Sequence, residues 1–335
     1  PPPAPPAPLW SRGLGDVYKR QELDRRKPGQ SKYVTQRKES DKVEILSGVF
    51  EGKTTGTPIG LLVRNTDQKS KDYENIKDKF RPGHADFTYQ QKYGIRDFRG
   101  GGRASARETV MRVAGGAIAK KVLEKNGVIV RAGVMQIGDI VADSHNFSDV
   151  SKNDFNFVDK SKVKALENFF KELIKDQDSI GAKIIVNISG LQPGVGSPVF
   201  SKLDAELAKS LMSVNAVKAI EIGTGVDSVT MRGSENRDII SVDGFETNNS
   251  GGILGGISNG DDINIFTSLK PTSSISQKTT TTNIDNQKVD LEVKGRHDPC
   301  VGLRAVPILE AMAALTIIDQ MLIDKAQCFD VERKS

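Results

Sequence analysis

Residues 96–112 read RDFRGGGRASARETVMR and join a glycine-rich turn directly to the start of a helix. The glycines at 100–102 let the backbone approach a ligand closely, because they carry no Cβ. Ser105 and Glu108 have the S-x-x-E spacing of a capping box, which predicts a helix that begins at Ser105. Unpaired amides and the positive end of the helix dipole make such a start suitable for a phosphate group.

Arginines crowd the same segment. Between Arg103 and Arg112 the only acidic residue is Glu108, whereas a solvated helix face would interleave more acids with its cations. The pattern therefore favours an anionic ligand, although a glycine turn with exposed arginines is a simpler alternative. The arginines of the cluster are Arg99, Arg103, Arg107 and Arg112.

Hydrophobic periodicity on both sides of this segment predicts a mixture of helices and strands. Apolar residues at helical spacing predict helices over 105–125, 161–175, 202–212 and 307–327. Runs rich in β-branched residues predict strands over 43–50, 59–64, 128–138, 183–189, 219–225 and 263–269. Because strands and helices do not alternate regularly, we predict an α+β fold rather than a doubly wound parallel sheet.

The predicted domain covers most of the chain. Residues 1–21 are Pro-rich at their start and have no apolar period, so we expect a non-native or disordered segment there. A natural disordered arm is the alternative interpretation. Residues 22–330 contain no internal repeat and no long linker, which predicts a single domain. The polar stretch 141–160 is expected to be a surface excursion.

Composition excludes several classes of protein. The 335 residues include 48 Lys and Arg against 43 Asp and Glu, a net charge of +5 that is compatible with anionic ligands. Two cysteines cannot make a disulfide framework, and three histidines without i,i+4 spacing argue against a metal site. The longest uninterrupted apolar runs are far short of the roughly 18 residues of a membrane span. We therefore expect no metal and no membrane partner.

A second basic segment, residues 24–38, reads DRRKPGQSKYVTQRK. The pair Pro28-Gly29 predicts a turn within it, and its only acid is Asp24. Nucleic-acid binding is one explanation of such a run. Against it, aromatic residues make up only 6% of the chain, and no zinc-finger or RNP pattern occurs. A small polyanionic substrate explains the cations at least as well, and a solvated surface is the third interpretation.

Three further segments combine turn residues with polar side chains, as ligand sites do. They are GGILGG at 251–256, KPTSS at 270–274 and GRHDPC at 295–300. On a turn, Arg296, His297 and Asp298 would present a cation, an imidazole and a carboxylate to one cleft. In a strand these three residues would instead alternate between the two faces.

His84 is the histidine best placed for chemistry. It follows Pro82-Gly83 in RPGHAD, so we expect it on a loop. A loop histidine that titrates near neutral pH can donate a proton to a ligand. An idle surface histidine is the simpler alternative, and that is what we expect of His145.

The longest of these motifs resemble the chorismate synthase family. They are GHADFTYQQKYGIRDFRGGGRASARETVMRVAGGAIAKK at 83–121, LMSVNAVKAIEIGTG at 211–225 and KGRHDPCVGLRAVP at 294–307. DRRKPG, ILSGVFEGKTTGTPIG, VRNTDQ, GGILGGISNG and KPTSSIS also match, in the family's order. The likeness extends from about Glu22 to near the C-terminus, and motifs of this length in this order are highly specific.

The resemblance implies a fold, a reaction and a cofactor. The fold is a β-α-β sandwich, two sheets packed around helices, in a cytoplasmic homotetramer. The reaction, the last step of the shikimate pathway to aromatic amino acids, is an anti-1,4-elimination that converts 5-enolpyruvylshikimate 3-phosphate to chorismate and phosphate. It uses reduced FMN (FMNH2) without net redox change. Either NADPH or an external flavin reductase supplies the reduced flavin, and no nucleic acid is implied.

Catalytic roles also follow from the resemblance. His84 resembles the histidine that protonates the reduced flavin, and Asp298 resembles the aspartate proposed to assist the flavin N5 as a base. Ser105 resembles a serine near the substrate and the flavin. The implied flavin contacts are Arg103, Ala104, Ser105, Asn215, Ala216, Gly255, Lys270, Pro271, Thr272, Ser273, Ser274 and Arg296.

Arg26 and Lys32 match positions that contact NADPH in some members of the family. They equally resemble the arginines that bind the substrate phosphate, which is the role we prefer for Arg26, and Arg107 is grouped with them. Lys32 stands where arginine is frequent, and a lysine cannot form a bidentate fork.

One departure from the family concerns the start of the chain. The family begins with a strand that carries Gly-Glu-Ser-His-Gly, whose histidine is proposed to protonate the departing phosphate, and residues 1–21 contain no such motif. General acid catalysis contributes about 10²–10⁴-fold, so we expect turnover by this chain to be impaired. A binding-only fragment that holds flavin and phosphate without turnover is therefore the alternative to an enzyme, and a basic nucleic-acid binder is a weaker third hypothesis.

Overall fold

The computed structural model describes residues 16–29, 31–35, 41–65, 70–99, 105–293 and 297–332. The α-helices are α1 (Asp16–Arg26), α2 (Asp86–Tyr93), α3 (Thr109–Lys125), α4 (Phe147–Val150), α5 (Val163–Lys175), α6 (Leu203–Met212), α7 (Gly233–Asn236) and α8 (Gly302–Gln327). Short 3-10 helices cover Ser70–Ile76, Ala106–Glu108, Lys160–Lys162 and Gly225–Thr230. The strands are β1 (Val43–Ile45), β2 (Val49–Phe50), β3 (Lys53–Thr54), β4 (Leu61–Val63), β5 (Ile129–Ile137), β6 (Ile140–Val141), β7 (Ala182–Ser189), β8 (Val217–Ile222), β9 (Ile240–Ser241), β10 (Gly244–Phe245), β11 (Ile253–Leu254), β12 (Ile257–Ser258), β13 (Ile263–Leu269), β14 (Thr279–Thr282) and β15 (Lys288–Leu291).

An antiparallel sheet of five strands, in the order β6-β5-β7-β13-β8, forms the centre of the fold. Its middle strand, β7, places Ile184 opposite Val134 of β5 and Thr267 of β13. Every residue from Ile184 to Ile188 is buried, so both faces of β7 are covered. The near-continuous run of β-branched residues in this strand is what such two-sided burial requires.

Helices separate this sheet from a smaller one. Helix α8 packs on β5 and β7, while α3 packs on α8 and also contacts β4. The β1–β4 ladder thus lies on the far side of the helices from the five-stranded sheet. The α+β fold predicted from the sequence is confirmed, and the layers follow the β-α-β order that the resemblance implied.

The helices α3 and α8 approach each other closely at small residues. A Cβ added to Gly116 of α3 would lie 2.2 Å from the Cβ of Ala311 in α8, so only glycine fits there. Helix α8 is long and apolar enough by itself to cross a membrane, with a mean hydropathy of 1.7 over 18 residues. Since 56% of that window is buried inside the fold, we interpret α8 as the central helix of the core.

Helix α8 begins at Gly302, five residues before the predicted start at Pro307. Proline often opens a helix, but here it lies in the second turn and lacks the N–H that would bond to the carbonyl of Leu303. The side chain of Asn156 replaces that donor, with its Nδ2 2.7 Å from the Leu303 oxygen. The predicted boundary was wrong because a distant residue satisfies the carbonyl.

The other predicted elements agree with the structure to within a few residues, with one exception. The strand predicted over 43–50 is divided into β1 and β2 by a turn at Gly48. Gly48 has a φ of +78°, and a Cβ there would lie 2.6 Å from the carbonyl oxygen of Pro58. The apolar pattern runs through the turn, which is why it did not reveal the break.

The polar stretch 141–160 is not only a surface excursion, so that prediction was wrong in part. Phe155 and Phe157 within it are fully buried, and the ring of Phe155 stacks on Tyr33 at 4.7 Å between centroids. Asn153 accepts hydrogen bonds from the backbone amides of both phenylalanines. The asparagines and aspartates here shape turns that deliver aromatic rings to the core.

Helix α1 begins at Asp16, inside the segment 1–21 that was predicted to lie outside the domain. Residues 1–15 of that segment are not among the described residues. The proposed boundary at residue 22 therefore remains a prediction.

A buried cluster of charges links three helices to the sheet. The carboxylate of Glu310 in α8 accepts hydrogen bonds from both terminal nitrogens of Arg25, at 2.6 and 2.9 Å, and from Lys120 Nζ at 2.8 Å. It also accepts from the amide of Ala132 in β5, at 2.9 Å. Glu22 neutralises the second cation, since Lys120 donates to it at 3.0 Å. Burial alone would raise the pKa of Glu310, but Lys120 and Arg25 hold this pKa at about 2.

We expect Glu310→Ala to lower the free energy of unfolding by about 3–5 kcal/mol, because it removes the bidentate partner of the half-buried Arg25 and leaves Glu22 to neutralise both Arg25 and the buried Lys120. Urea unfolding followed by circular dichroism measures the loss. As a control, Glu167→Ala removes a surface carboxylate that pairs with the exposed Lys164, and it should cost less than about 1 kcal/mol. Equal losses in the two variants would contradict this account.

The same carboxylate predicts a pH dependence of stability. In the unfolded chain its pKa is about 4.3, whereas in the folded protein it is about 2. A carboxyl group whose pKa is lower in the folded protein stabilises the fold at pH values above its pKa in the unfolded chain. That stabilisation disappears as the pH falls through the pKa of the folded protein. Between pH 5 and pH 2, the wild-type protein should therefore lose stability more steeply than Glu310→Ala. Parallel curves for the two proteins would be the contrary result.

Candidate active site

A cavity of about 890 Å³ opens where several turn segments meet. These segments are the turn before α2, the start of the 3-10 helix that precedes α3, the turn between α6 and β8, the segment after β13, and the residues before α8. The cavity brings together nine residues predicted from the sequence, although they span almost 200 positions of the chain. The nine are His84, Ser105, Asn215, Ala216, Lys270, Pro271, Thr272, Ser273 and Ser274.

Lys270 and Ser273 tie the KPTSS segment to the turn that carries His84. Lys270 Nζ donates to the carbonyl of Gly83 at 2.5 Å and to Ser273 Oγ at 2.9 Å. Ser273 Oγ donates to the same carbonyl at 2.8 Å. Gly83 has a φ of +68°, a backbone conformation that favours glycine. Since an ammonium has three donors, Lys270 keeps one for a ligand.

The turn between α6 and β8 is held in an unusual backbone conformation. Ala216 has a φ of +71°, which is uncommon for a residue other than glycine, and its carbonyl accepts from the amide of Lys270 at 2.9 Å. Beside it, the Oδ1 atom of Asn215 is buried and has no hydrogen-bond partner in the described part of the chain. A buried acceptor without a partner at a cavity wall is suited to a ligand N–H.

Ser105 lies where the predicted helix begins. Its Oγ accepts from the amide of Arg107 at 3.2 Å and thereby caps the 3-10 helix that leads into α3. Glu108 does not complete the predicted capping box by side-chain contact with Ser105; it accepts instead from Arg112 Nε at 3.2 Å. Ser105 and Ala106 line the cavity, so the N-terminal end of this helical segment faces it. Arg103, Ala104 and Arg296 lie outside the described residues.

Two arginines that the sequence analysis did not select line the cavity beside His84. Asp86 accepts from Arg81 Nε at 2.7 Å, and it lies 3.0 Å from the Nη1 atom of Arg96. It also lies 2.9 Å from His84 Nδ1. Burial alone would raise the pKa of Asp86, but the hydrogen bonds from Arg81 and His84 hold it well below its usual range. The sequence did contain a sign of this arrangement, because Arg81 and Asp86 flank His84 in the motif RPGHAD.

Aromatic and aliphatic side chains cover another part of the wall. Tyr89 and Tyr93 of α2 meet edge to face, with their ring centroids 5.7 Å apart. The sequence did not predict this aromatic wall. The low aromatic content of the whole chain does not reveal that several aromatic residues gather at one site. The apolar lining includes Tyr73, Ile76, Tyr89, Tyr93, Ile95, Phe98 and Val301.

The GRHDPC segment contributes His297 to the cavity, but not the carboxylate of Asp298. That carboxylate accepts from the amide of Thr35 at 2.8 Å and from Arg304 at 2.9 Å. Its backbone carbonyl accepts from Thr272 Oγ1 at 2.7 Å. Asp298 therefore supports the cavity wall from behind, and these contacts do not favour the predicted role as a base.

Arg26 and Arg107 do not line the cavity either. Arg26 is buried, with its Nη1 2.8 Å from Asp41 and its Nε 3.2 Å from Thr109 Oγ1. Arg107 pairs with the same Asp41. Burial, and then the nearby charge of Arg304, lower the pKa of Arg26 to about 10. The sequence shows that these segments are rich in arginine, but it does not show that Asp41 pairs with both Arg26 and Arg107.

Two further predicted residues lie away from the cavity. Lys32 is exposed, with its Nζ 5.0 Å from the centre of the Tyr33 ring. Gly255 occupies the turn between β11 and β12 with a φ of +60°, and a Cβ there would meet nothing within 4 Å. Neither residue lines the cavity.

Comparison with known proteins agrees with the motifs and the fold. The family model described as "Chorismate synthase" matches residues 16–322 of this chain. A solved structure titled "Crystal Structure of Chorismate Synthase" is similar at 27% sequence identity, with a TM-score of 0.73. The alignment covers 94% of this chain and 85% of that one. The chain therefore belongs to the chorismate synthase family.

Proposed function

We propose that the chain converts 5-enolpyruvylshikimate 3-phosphate to chorismate and phosphate by an anti-1,4-elimination that requires reduced FMN. Membership of the chorismate synthase family supports an enzyme of this kind, a lyase in chorismate formation. The observation that carries the proposal is the cavity, which joins His84, Ser105, Asn215 and the segment 270–274.

The residues of the cavity fit a flavin and a phosphorylated ring. A volume of about 890 Å³ lies in the range of cofactor sites. The aromatic side chains of Tyr89, Tyr93 and Phe98 offer apolar surface to a planar ring. The Asn215 Oδ1 atom would accept from a ring N–H, and the cations would hold phosphate groups.

The charge of the lining also favours an anion. Arg81, Arg96 and Lys270 carry three positive charges against the two negative charges of Asp86 and Asp97, which leaves +1 among the described lining residues. Protonation of a histidine would add to that excess. Hydrogen bonds from such cations to a phosphate are roughly twice as strong as neutral ones, and they strengthen when water is excluded.

The chemistry requires loss of phosphate and of a hydrogen that no neighbouring carbonyl makes acidic. When bound, reduced FMN supplies electron density for this elimination and accepts the proton. Lys270 and the arginines stabilise negative charge on the departing phosphate. His84 holds or moves a proton at its ring nitrogen within the cavity. Apolar side chains at the wall limit the access of water and oxygen.

We also propose the further properties that the family resemblance implies. The enzyme is a cytoplasmic homotetramer, and its reduced flavin comes from NADPH or from an external flavin reductase. Exposed apolar residues around β9 and β10 support an association between subunits, since Ile240 is 70% exposed and Val242, in the turn between the two strands, is fully exposed.

An anaerobic assay tests the reaction. Purified protein with reduced FMN and 5-enolpyruvylshikimate 3-phosphate should release chorismate, seen by absorbance, and an equal amount of phosphate. Flavin binding without phosphate release would overturn the proposed activity and favour a binding-only protein. Salt-dependent RNA binding without flavin binding would instead favour a nucleic-acid binder.

We expect His84→Ala to reduce kcat by about 10²–10⁴-fold, because it removes the proton-carrying group of the cavity. The affinity for FMN should change much less, since the ring is one contact among many. Stopped-flow turnover and flavin fluorescence titration measure the two effects. His145→Ala is the matched control, because His145 is exposed and lies outside the cavity. A similar loss of kcat in both variants would contradict the role of His84.

We expect Lys270→Ala to weaken FMN binding by about tenfold or more, because it removes one cation and releases the contact with Gly83. Equilibrium titration with FMN gives the affinity. Lys278→Ala removes the same charge from an exposed position outside the cavity and should bind FMN normally. Unchanged affinity in Lys270→Ala would remove Lys270 from the flavin site.

A further inference from the structure

Asp86 is the acceptor at the centre of a hydrogen-bond network beside the cavity. Its side chain, at the first position of α2, is only 4% exposed. It accepts from Arg81 Nε at 2.7 Å and from Arg81 Nη2 at 2.9 Å. The third and fourth contacts come from His84 Nδ1 at 2.9 Å and Arg96 Nη1 at 3.0 Å. Both carboxylate oxygens are therefore used.

The two arginines keep this carboxylate ionised. A carboxyl group buried to this degree would otherwise tend to keep its proton. Arg96 is itself fixed, because its Nη2 atom donates to the carbonyls of Ile76 and Lys77, at 3.2 and 2.5 Å. The position of Asp86 is consequently set from two sides, by the turn at Arg81 and by the 3-10 helix that ends at Ile76.

An ionised carboxylate accepts hydrogen bonds and cannot donate them. At the contact between His84 Nδ1 and Asp86 the hydrogen must therefore belong to the histidine. The neighbouring Nη2 of Arg81 has two hydrogens and donates one of them to Asp86 Oδ1, and it also lies 3.1 Å from Nδ1. A lone pair on Nδ1 would nevertheless face the negative Oδ1 atom at 2.9 Å and be repelled by it, so the Nδ1–H form is the favoured one. In the neutral ring this arrangement leaves Nε2 without a hydrogen. Among the described residues, no side chain or backbone group is bonded to that Nε2.

We propose that Asp86 is a positioning residue, which holds His84 in the Nδ1–H tautomer so that Nε2 exchanges protons with ligands in the cavity. The reaction that this histidine serves rests on the proposed function. The tautomer itself is a property of the protein and can be observed without substrate or cofactor. A ring with the other tautomer would present an N–H to the cavity in place of a proton acceptor. The tautomer thus decides whether Nε2 of the neutral ring first accepts or first donates a proton, and the Nδ1–H form makes it an acceptor.

Nitrogen-15 spectra of the histidine side chains test the proposal without measuring activity. The chain has three histidines, and the resonances of His84 are identified as those lost in His84→Gln. In the wild-type protein, at a pH where the ring is neutral, Nδ1 should show the shift of a protonated nitrogen and Nε2 that of an unprotonated one. The opposite assignment in wild-type protein would overturn the proposal, whether or not any variant folds.

In Asp86→Asn, an amide that can donate to Nδ1 replaces the acceptor, so the His84 tautomer should become mixed or reversed. With the tautomer no longer fixed, kcat should fall by about 10–100-fold while FMN affinity changes little. Asp97→Asn is the matched control, since Asp97 lines the same cavity but bonds only to Arg99 in the described structure and is 57% exposed. The His84 shifts should be unchanged in that variant.

Unchanged His84 shifts in a folded Asp86→Asn protein would overturn the positioning role. The outcome is separable from a failure of the proposed function. If wild-type protein shows the expected tautomer but forms no chorismate, the proposed reaction fails and the positioning role of Asp86 stands. If chorismate forms and the tautomer is reversed, the reaction stands and the role of Asp86 fails.

Discussion

The carboxylate of Glu310 is the constraint on which the arrangement of the core depends. It accepts from Arg25 of α1, Lys120 of α3 and the amide of Ala132 in β5, and so ties three elements to α8. Apolar packing alone allows helices to slide, because hydrophobic contact is not directional. Hydrogen bonds to one buried charge have a defined geometry. The position of α8 against the sheet, and with it the start of α8 at the cavity, follows from this cluster.

The cavity uses a different kind of constraint. Much of its wall consists of turns, and a small number of polar bonds connect these turns to one another. Lys270 and Ser273 converge on the carbonyl of Gly83, and Thr272 donates to the carbonyl of Asp298. Turns joined in this way present backbone amides and carbonyls to a ligand while the sheet and helices behind them stay fixed. The positive φ of Ala216 is the local strain that this closure requires.

The charged residues divide between these two systems, and spacing along the chain does not reveal the division. Arg26 and Arg107 resemble ligand-binding arginines in sequence, yet Asp41 engages both of them away from the cavity. Arg81 and Arg96 were not predicted from the sequence as site residues, but they line the cavity with Asp86 between them. An arginine is recognised as a ligand group or a structural one only by its partner, and that partner lies elsewhere in the sequence.

By itself, the sequence determined four of the eight α-helices in the described residues (α3, α5, α6 and α8), the four longer strands of the central sheet, the α+β class and the motifs of the family. These depend on apolar period, turn residues and capping, all of which act over fewer than about 20 neighbouring positions. Only the tertiary structure decided that α8 continues through Pro307 and that His297, rather than the Asp298 carboxylate, faces the cavity. Each of these outcomes depends on a bond to a distant residue, such as Asn156 to Leu303, and a bond formed across the fold leaves no periodic trace in the sequence.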